Sequence, residues 1–166
     1  MDNVLQLSLP FKEFLQIAHC PAEWRRLNLY LLRDAEVIFY VGQSFVAFYR
    51  VWRHFYAGFK GRSLVGRFII CNWPVSMRFT VELMSSRSAR FDSVEHDLNR
   101  SEQLLIQQYT PCLNTALNPQ PAPLPSQYAS PYTPLKFSHH PQKFIREAAQ
   151  VIQAEQKKAW LAQVES

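Results

Sequence analysis

Two β-rich apolar runs joined by a short polar turn constrain the fold of this chain more than any other feature. The first run occupies residues 27–32, the second occupies residues 37–41, and residues 33–36 separate them. This pattern predicts a β-hairpin whose second strand is closed by Gly42. Each strand carries one tyrosine, Tyr30 or Tyr40, although phenylalanine could fill a core at either position. The hairpin therefore raises the question of whether the two hydroxyls have a chemical role.

The patterns that follow the hairpin predict two helices and a third strand. Residues 46–57 contain neither glycine nor proline and can form a helix, whereas residues 77–84 alternate as a strand does. Residues 57–66 hold three of the four glycines and are interpreted as a mobile basic loop. Asp92 followed by Glu95 resembles a capping box, which would open a helix that runs to about Tyr109. The predicted fold class is α/β (α+β), with a small three-stranded antiparallel sheet flanked by helices.

Composition divides the chain into four segments. Residues 1–26 form an N-terminal lead-in, and residues 27–117 form the α/β domain. Residues 118–138 are rich in proline and are interpreted as an extended linker or a surface-hugging tail. Residues 139–166 are predicted to form a C-terminal helix, with His139 and His140 at its junction with the linker. This helix could dock on the core, pair with a second copy to form a homodimer, or touch DNA.

Basic residues are concentrated in one part of the sequence. The chain carries a formal net charge of +5, yet residues 46–91 alone contain eight arginines and lysines against a single acid, Glu82. Arginine dominates this set, and its planar guanidinium suits phosphate better than the point charge of lysine does. A solvated basic face is the ordinary alternative. The favoured interpretation is a polyanionic partner, most simply nucleic acid.

Composition also argues against several classes of protein. No apolar run approaches the roughly 18–20 residues that a membrane span needs, so no membrane partner is expected. The N-terminal residues include an early acid and lack a basic region and a small-residue cleavage site, which argues against a signal peptide. Cys20, Cys71 and Cys112 are odd in number and widely spaced, which disfavours a disulfide framework or a cysteine zinc site. We expect a reducing, cytoplasmic location.

Three charged or titratable residues stand out within the predicted helices. Arg50 and His54 lie four positions apart, so both project from one face of the first helix. Glu102 falls on the margin of the apolar stripe of the second helix, four residues from both Leu98 and Ile106. A partly buried carboxylate needs compensation. An arginine partner would supply it, and so would a divalent metal, because oxygen ligands suit Mg²⁺ or Mn²⁺.

Taken in order, these residues resemble the motifs of the GIY-YIG nuclease superfamily. The segment RVWRHF is similar to the helix of phage intron-encoded homing endonucleases of this family, and EQLLIQQYTPCLN is similar to the excision-repair nuclease subunit. The resemblance covers about residues 27–117, and five short pieces in the right order and spacing make it specific. The matching pieces are Asn28-Leu29-Tyr30, Tyr40-Val41-Gly42, Arg50-x-x-x-His54, Glu102 and Asn114.

The chain also departs from the family pattern at three places. Asn28 replaces the glycine of the first motif, and Gln43 stands where the repair enzymes carry lysine. Residues 58–66 contain no second histidine, although Lys60 or Arg62 could compensate.

The resemblance implies a metal-dependent DNA endonuclease that leaves 5′-phosphate and 3′-hydroxyl ends. In this family the helix glutamate, here Glu102, holds a single divalent metal that serves the leaving group, so the implied cofactor is one Mg²⁺ or Mn²⁺. Arg50 would stabilise the phosphate, and one of Tyr30 and Tyr40 would act as general base. His54 would accept a proton or contact the phosphate, and a surface histidine without a role in the site is the open alternative.

The implied partner is DNA, most simply double-stranded, and its role could be restriction, mobile-element or phage-defence cleavage, or repair. Two other classes stay open: a non-catalytic nucleic-acid-binding module that retains the nuclease fold, and a protein-interaction adaptor that acts through the C-terminal helix. Gly42 and Asn114 are expected to support the site structurally. The residues predicted to bind nucleic acid are Arg53, Lys60, Arg62 and Arg67.

Overall fold

A four-stranded antiparallel sheet forms the centre of the computed structural model, which describes residues 4–135 and 139–166. The prediction of a mixed α/β fold with an antiparallel sheet and a C-terminal helix is confirmed, but the count of three strands is wrong. Residues 1–3 of the predicted lead-in and 136–138 of the predicted linker lie outside the described residues. In the spatial order β1-β4-β2-β3, the strands are β1 (Gln6–Pro10), β4 (Thr80–Met84), β2 (Leu29–Asp34) and β3 (Val37–Gln43).

The strand that sequence reasoning missed is β1, which lies within the N-terminal lead-in. It pairs with β4 from Gln6 opposite Met84 to Pro10 opposite Thr80. The β1 residues Gln6 to Leu9 alternate polar and apolar, but the run is short and ends in a proline. Proline lacks the N–H group that a continued ladder needs, and it is tolerated here because β1 is an edge strand that ends at Pro10.

The predicted hairpin forms from β2 and β3, with an irregularity in register between Leu32 and Arg33. Side chains alternate between the two faces of β2, as the pleat requires. Leu29 and Leu31 pack into a small cluster on one face, while Tyr30 and Leu32 join the larger core on the other. Strand β2 therefore directs Tyr30 to the face of the sheet that carries the larger core.

Helices cover both faces of the sheet. The 98–109 helix packs along β3 and closes the smaller cluster, and the remaining helices contribute to the larger core. That core is dominated by fully buried phenylalanines, including Phe39, Phe48, Phe55 and Phe68. In the described residues the α-helices are α1 (Phe11–Phe14), α2 (Ala47–Phe59), α3 (Leu64–Cys71), α4 (Leu98–Tyr109) and α5 (Pro141–Glu165).

The prediction of a mobile basic loop over residues 57–66 is wrong for most of that segment. Helix α2 continues to Phe59 and α3 already begins at Leu64. Two of the glycines allow these helices to approach closely, because a Cβ atom at Gly66 would collide with the backbone of His54, and one at Gly58 would collide with Gly66. The glycines that suggested flexibility thus serve close packing, and only Gly61 adopts a positive φ, of 68°.

Helix α4 begins later than the sequence predicted. Residues 89–94 form a 3₁₀ turn instead, and Glu95 and His96 leave it with positive φ values of 57° and 59°. The Asp97 carboxylate caps α4 by accepting a hydrogen bond from the Arg100 backbone N–H at 2.8 Å. The proposed Asp92–Glu95 capping box is therefore wrong, although Glu102 still lies on α4.

The segment after residue 117 is held against the core. Tyr128 is buried and its hydroxyl donates to the Asp34 carboxylate at 2.6 Å. In α5, Phe144 stacks on Trp73 with ring centroids 4.3 Å apart, whereas residues 153–166 are exposed. The first half of α5 thus docks on the core, and the described part of residues 118–138 includes a surface-hugging tail. None of the described helices has both the length and the apolar character that a membrane crossing requires.

Candidate active site

The two hairpin tyrosines lie on the same face of the sheet and stack against each other. Tyr30 pairs with Gly42 and Leu32 pairs with Tyr40, so the two tyrosines are diagonal neighbours. Their ring centroids are 6.1 Å apart and their planes differ by 29°. The Tyr30 ring crosses directly over Gly42, where an added Cβ atom would collide with the end of that ring. Glycine at position 42 is therefore what allows the Tyr30 hydroxyl to reach its place.

Helix α2 brings His54 against both tyrosines. The His54 ring centroid is 5.7 Å from each tyrosine ring, and its Nε2 atom lies 2.8 Å from the Tyr30 hydroxyl. The other ring nitrogen, Nδ1, lies 2.7 Å from the Ser63 hydroxyl. Sequence reasoning missed Ser63 because it assigned this residue to a mobile loop. A serine directly before the apolar run that begins at Leu64 is a helix-cap signal that could have revealed it.

Burial sets the protonation of these residues. Burial and, after it, the positive charge of Arg50 together lower the pKa of His54 to about 4. Apolar side chains of Val51, Val65 and Ile69 line the space behind the ring and exclude water from it. Neutral His54 is therefore the form present near pH 7, with its single ring proton on one of the two nitrogens.

The tyrosine hydroxyls are also desolvated, and the two differ in degree. Tyr30 is only 4% exposed, and burial, followed by the neighbouring Tyr40, raises its pKa far above the ordinary value. Burial and then the charge of Glu102 raise the pKa of Tyr40, which keeps partial access to solvent. Arg50 opposes the rise at both tyrosines because a cation favours phenolate.

Glu102 approaches the tyrosines from α4 as a half-buried carboxylate. Burial raises its pKa, and a hydrogen bond from the Gln43 amide partly offsets this. That amide also donates to Asn99 at 2.7 Å. No ion pair to Glu102 forms within residues 4–135 and 139–166, so an arginine partner is not what compensates its burial there.

The donor set around Glu102 fits a hard divalent cation. The carboxylate offers oxygen atoms, which Mg²⁺ and Mn²⁺ prefer. A bound cation would also satisfy a desolvated carboxylate that has no cationic side chain beside it. The described part of the chain contains no cluster of three or more His, Cys, Asp or Glu residues, so Glu102 is the residue here that would hold such a cation.

Asn114 braces the strand that carries Tyr40. Its buried side chain accepts a hydrogen bond from the Val41 N–H and donates one to the Val41 carbonyl, both at 2.9 Å. The backbone N–H groups of Cys112 and Leu113 donate to β3 just before this point. Because β3 is an edge strand, these bonds occupy backbone groups that would otherwise be open. Asn114 is thus placed for the structural role that was expected of it.

The residues predicted to bind nucleic acid do not all share one place. Arg53 is exposed and lines a shallow groove with Arg50. Lys60 and Arg62 are exposed in the short α2–α3 connection. The guanidinium of Arg67 donates to the Thr133 carbonyl at 3.1 Å, so this arginine is partly engaged by the tail.

Comparisons with known proteins identify no match to this chain. No family model, no curated protein and no solved structure matches the chain. The function must therefore be argued from the arrangement of the residues themselves.

Proposed function

We propose that this protein is a metal-dependent DNA endonuclease of the GIY-YIG type. The observation that carries the proposal is the convergence of five residues from four elements at one place. Tyr30 bonds to His54 and stacks with Tyr40, and the charges of Arg50 and Glu102 act on both tyrosine hydroxyls. A core would need none of these polar groups, and Glu102 reaches the site from α4, far along the sequence from β2, β3 and α2.

Arg50 is suited to stabilise the phosphate during cleavage. Arg50 lines the shallow groove with Arg53, and its charge acts on both tyrosine hydroxyls. Charge-assisted hydrogen bonds from a guanidinium are stronger and more directional than those of neutral donors. Because negative charge builds up on the phosphate oxygens in the transition state, a cation fixed at this place lowers the barrier more than it tightens substrate binding.

The tyrosine pair is suited to remove the proton from the attacking water. A phenol with its pKa near 10 is a poor base at neutral pH, and burial raises the pKa of both tyrosines here. Arg50 works against that rise at both hydroxyls. A divalent cation held by Glu102 would add positive charge at the site and stabilise the leaving oxygen. His54 bonds to Tyr30 and holds its hydroxyl in position.

DNA is the substrate that the charge distribution favours. Arg53, Lys60 and Arg62 are exposed on α2 and the connection that follows it. The same helix supplies Arg50 and His54 to the site, so a polyanion bound along α2 would lie across the tyrosines. The proposed products are 5′-phosphate and 3′-hydroxyl ends, and the biological role would be restriction, mobile-element or defence cleavage, or repair.

The test is incubation of the protein with supercoiled plasmid and Mg²⁺ or Mn²⁺, beside the Glu102→Gln variant. We expect the wild type to produce nicked or linear plasmid, and cleavage to stop when EDTA is added. Glu102→Gln should cleave at least a hundredfold more slowly, because it loses the rate enhancement that a bound metal supplies. Glu36→Gln, at an exposed position in the hairpin turn, is the matched control and should cleave normally.

End-labelling of the products gives a second test. Ends with 3′-phosphate would contradict the mechanism. Plasmid binding without cleavage under any metal would instead support the non-catalytic module that keeps the fold.

A further inference from the structure

We propose that Ser63 fixes the tautomer of His54 with its proton on Nε2, and that this makes Tyr40 the tyrosine that takes the proton from the attacking water. Ser63 would thus be a positioning residue that acts through His54 and Tyr30. The tautomer follows from hydrogen-bond geometry alone, whereas the role of Tyr40 rests on the nuclease function proposed above.

The hydroxyl of Ser63 is buried at the start of α3. Its oxygen accepts a hydrogen bond from the Gly66 N–H at 3.0 Å, as a helix cap does. The hydroxyl proton must then go to an acceptor, because a buried donor without a partner is costly. Among the described residues, the atom in hydrogen-bond contact that can receive it is Nδ1 of His54, at 2.7 Å. Ser63 therefore donates to His54.

The direction of this hydrogen bond determines which nitrogen of the His54 ring carries the proton. His54 is neutral, since burial lowers its pKa to about 4, so only one of its nitrogens carries a proton. With Nδ1 accepting from Ser63, the proton resides on Nε2, and Nε2 donates to the Tyr30 hydroxyl oxygen 2.8 Å away. His54 in this state has no free lone pair directed at Tyr30. It can hold the Tyr30 hydroxyl, but it cannot take a proton from it.

The donor chain continues from Tyr30 to Tyr40. The Tyr30 oxygen already accepts from His54, which leaves its own proton to be donated. The ring of Tyr40 stacks beside that of Tyr30 with centroids 6.1 Å apart, so the Tyr40 hydroxyl is the neighbour that can accept this proton. Each residue in this series of hydrogen bonds thus donates to the next: Ser63 to His54, His54 to Tyr30, and Tyr30 to Tyr40. Phenolate is stabilised at the end of such a chain, not in its middle.

Exposure gives an independent reason for the same assignment. Tyr30 is only 4% exposed, whereas Tyr40 is half-buried and keeps contact with solvent beside Glu102. In the step proposed, the water oxygen forms a bond to phosphorus and its proton passes to the Tyr40 phenolate oxygen. The bond from phosphorus to the 3′-oxygen breaks, and the 3′-oxygen takes a proton from solvent. A tyrosine enclosed between the sheet and α2 is poorly placed for the first transfer.

The tautomer is measured directly by ¹⁵N NMR of the histidine rings in the whole protein at pH 7. We expect a pyridine-like Nδ1 and a pyrrole-like Nε2 for His54, assigned by the loss of its signals in His54→Gln. His96 is an internal reference for the opposite pattern at Nδ1, because that atom lies 2.9 Å from the Ser86 carbonyl and must donate to it. A His54 ring with most of its proton on Nδ1 would overturn the proposal, whether or not the protein cleaves DNA.

Variants at position 63 separate this role from the helix cap. Ser63→Thr keeps both the cap and the hydroxyl proton, and we expect wild-type cleavage and an unchanged His54 ring. Ser63→Ala loses both, and we expect the proton to move partly to Nδ1 and cleavage to fall at least tenfold when assayed well below its melting temperature. Asp97→Ala, which removes the cap of α4, is the control for lost stability and should leave the His54 signals unchanged. An unaltered His54 ring in Ser63→Ala would contradict the role of Ser63.

The tyrosines are compared by their phenylalanine variants. Removing a general base costs about a hundredfold or more, so Tyr40→Phe should lose at least that much cleavage rate. Tyr30→Phe removes a supporting hydrogen bond and should lose only about tenfold, the worth of a hydrogen bond to a charged group. The reverse order would overturn the assignment of Tyr40. If the wild type does not cleave, the nuclease function fails and the role of Tyr40 fails with it, while the ring spectrum still decides the tautomer.

Discussion

Gly42 shows how one residue without a side chain can control the site. The Tyr30 ring lies where a Cβ atom at position 42 would be, so Gly42→Ala must push the ring away. We expect a loss of about 1–3 kcal/mol in the free energy of unfolding, as overpacked sites show, together with strongly reduced cleavage. Urea denaturation and plasmid cleavage measure the two effects.

The matched control for this change is Gly61→Ala. Nothing lies within 4 Å of an added Cβ atom there, but the positive φ of 68° makes alanine unfavourable. This variant should lose about 1 kcal/mol of stability and keep its activity. Equal loss of activity in both variants would show that stability, and not the position of Tyr30, explains the effect at Gly42.

His54 gives the protein a specific dependence of stability on pH. Its pKa falls from an ordinary value of 6.5 to about 4 on folding, because the folded state buries the neutral ring. Between these values the unfolded chain binds more protons, so the free energy of unfolding falls as the pH is lowered through this window. The stability linked to His54 is fully present above about pH 6.5 and is lost as the pH approaches 4.

Replacement of His54 by glutamine removes this contribution. In urea denaturation at pH 7 and pH 5, we expect wild type to lose more stability than His54→Gln, since the carboxylates are common to both proteins. Replacement of the exposed His19 by glutamine is the control and should behave as wild type. Identical losses in wild type and His54→Gln would mean that the folded protein binds a proton at His54 as readily as the unfolded chain does.

At the scale of elements, the crossing of α2 and α3 couples packing to the site. Gly66 lies so close to His54 that a Cβ atom there would collide with the His54 backbone. Gly66→Ala should therefore separate the helices, cost about 2 kcal/mol or more, and lengthen the contact between Ser63 and His54. Thermal unfolding by circular dichroism measures the first effect, and the His54 ring spectrum measures the second.

Ala57→Gly offers a comparison within the same helix pair. It weakens α2 by about 1 kcal/mol through backbone entropy and removes no contact between the helix backbones. An unchanged His54 ring in Gly66→Ala would show that the approach of the two helices does not position Ser63.

The elements that the sequence predicted correctly are those with a strong local pattern. The hairpin, α2 and the half-buried place of Glu102 each follow from periodicity within a few residues. The wrong predictions concern residues whose conformation depends on partners that are distant in the sequence. Pro10 ends a strand that only β4 stabilises, and Gly58 and Gly66 are explained by a helix partner and not by flexibility. Ser63 escaped notice for the same reason, because its partner His54 lies on another helix.

At the scale of the molecule, the tail and α5 determine how much surface is free. Trp73 donates to the Glu147 carboxylate at 2.6 Å, and Lys12 pairs with Glu155 at 2.6 Å, which fix α5 to the body of the protein. Beyond Glu155 the helix is exposed, and Trp160, Leu161 and Val164 present apolar side chains to solvent. Lys157 and Lys158 lie on this half. Exposed cations that could contact DNA therefore lie both along α2 and on the end of α5.

The salt dependence of DNA binding distinguishes these two surfaces. Each phosphate contact releases counterions, so the logarithm of the association constant falls with the logarithm of salt at a slope of about −0.9 per contact. We expect the double replacement of Lys60 and Arg62 by alanine to make the slope shallower by about one to two units. The measurement is fluorescence anisotropy of a labelled duplex over a range of NaCl, in the Glu102→Gln background so that no cleavage interferes.

The matched control is the double replacement of Lys157 and Lys158 by alanine, which removes the same charge from α5 and should leave the slope unchanged. The opposite result would place DNA on the exposed half of α5. Because residues beyond Glu155 lie outside the packed body of the protein, removing residues 156–166 would then abolish binding while thermal unfolding stayed as in the full chain. A slope that changes equally in both double variants would mean that the duplex spans both surfaces. Both sets of charges would then contact its phosphates.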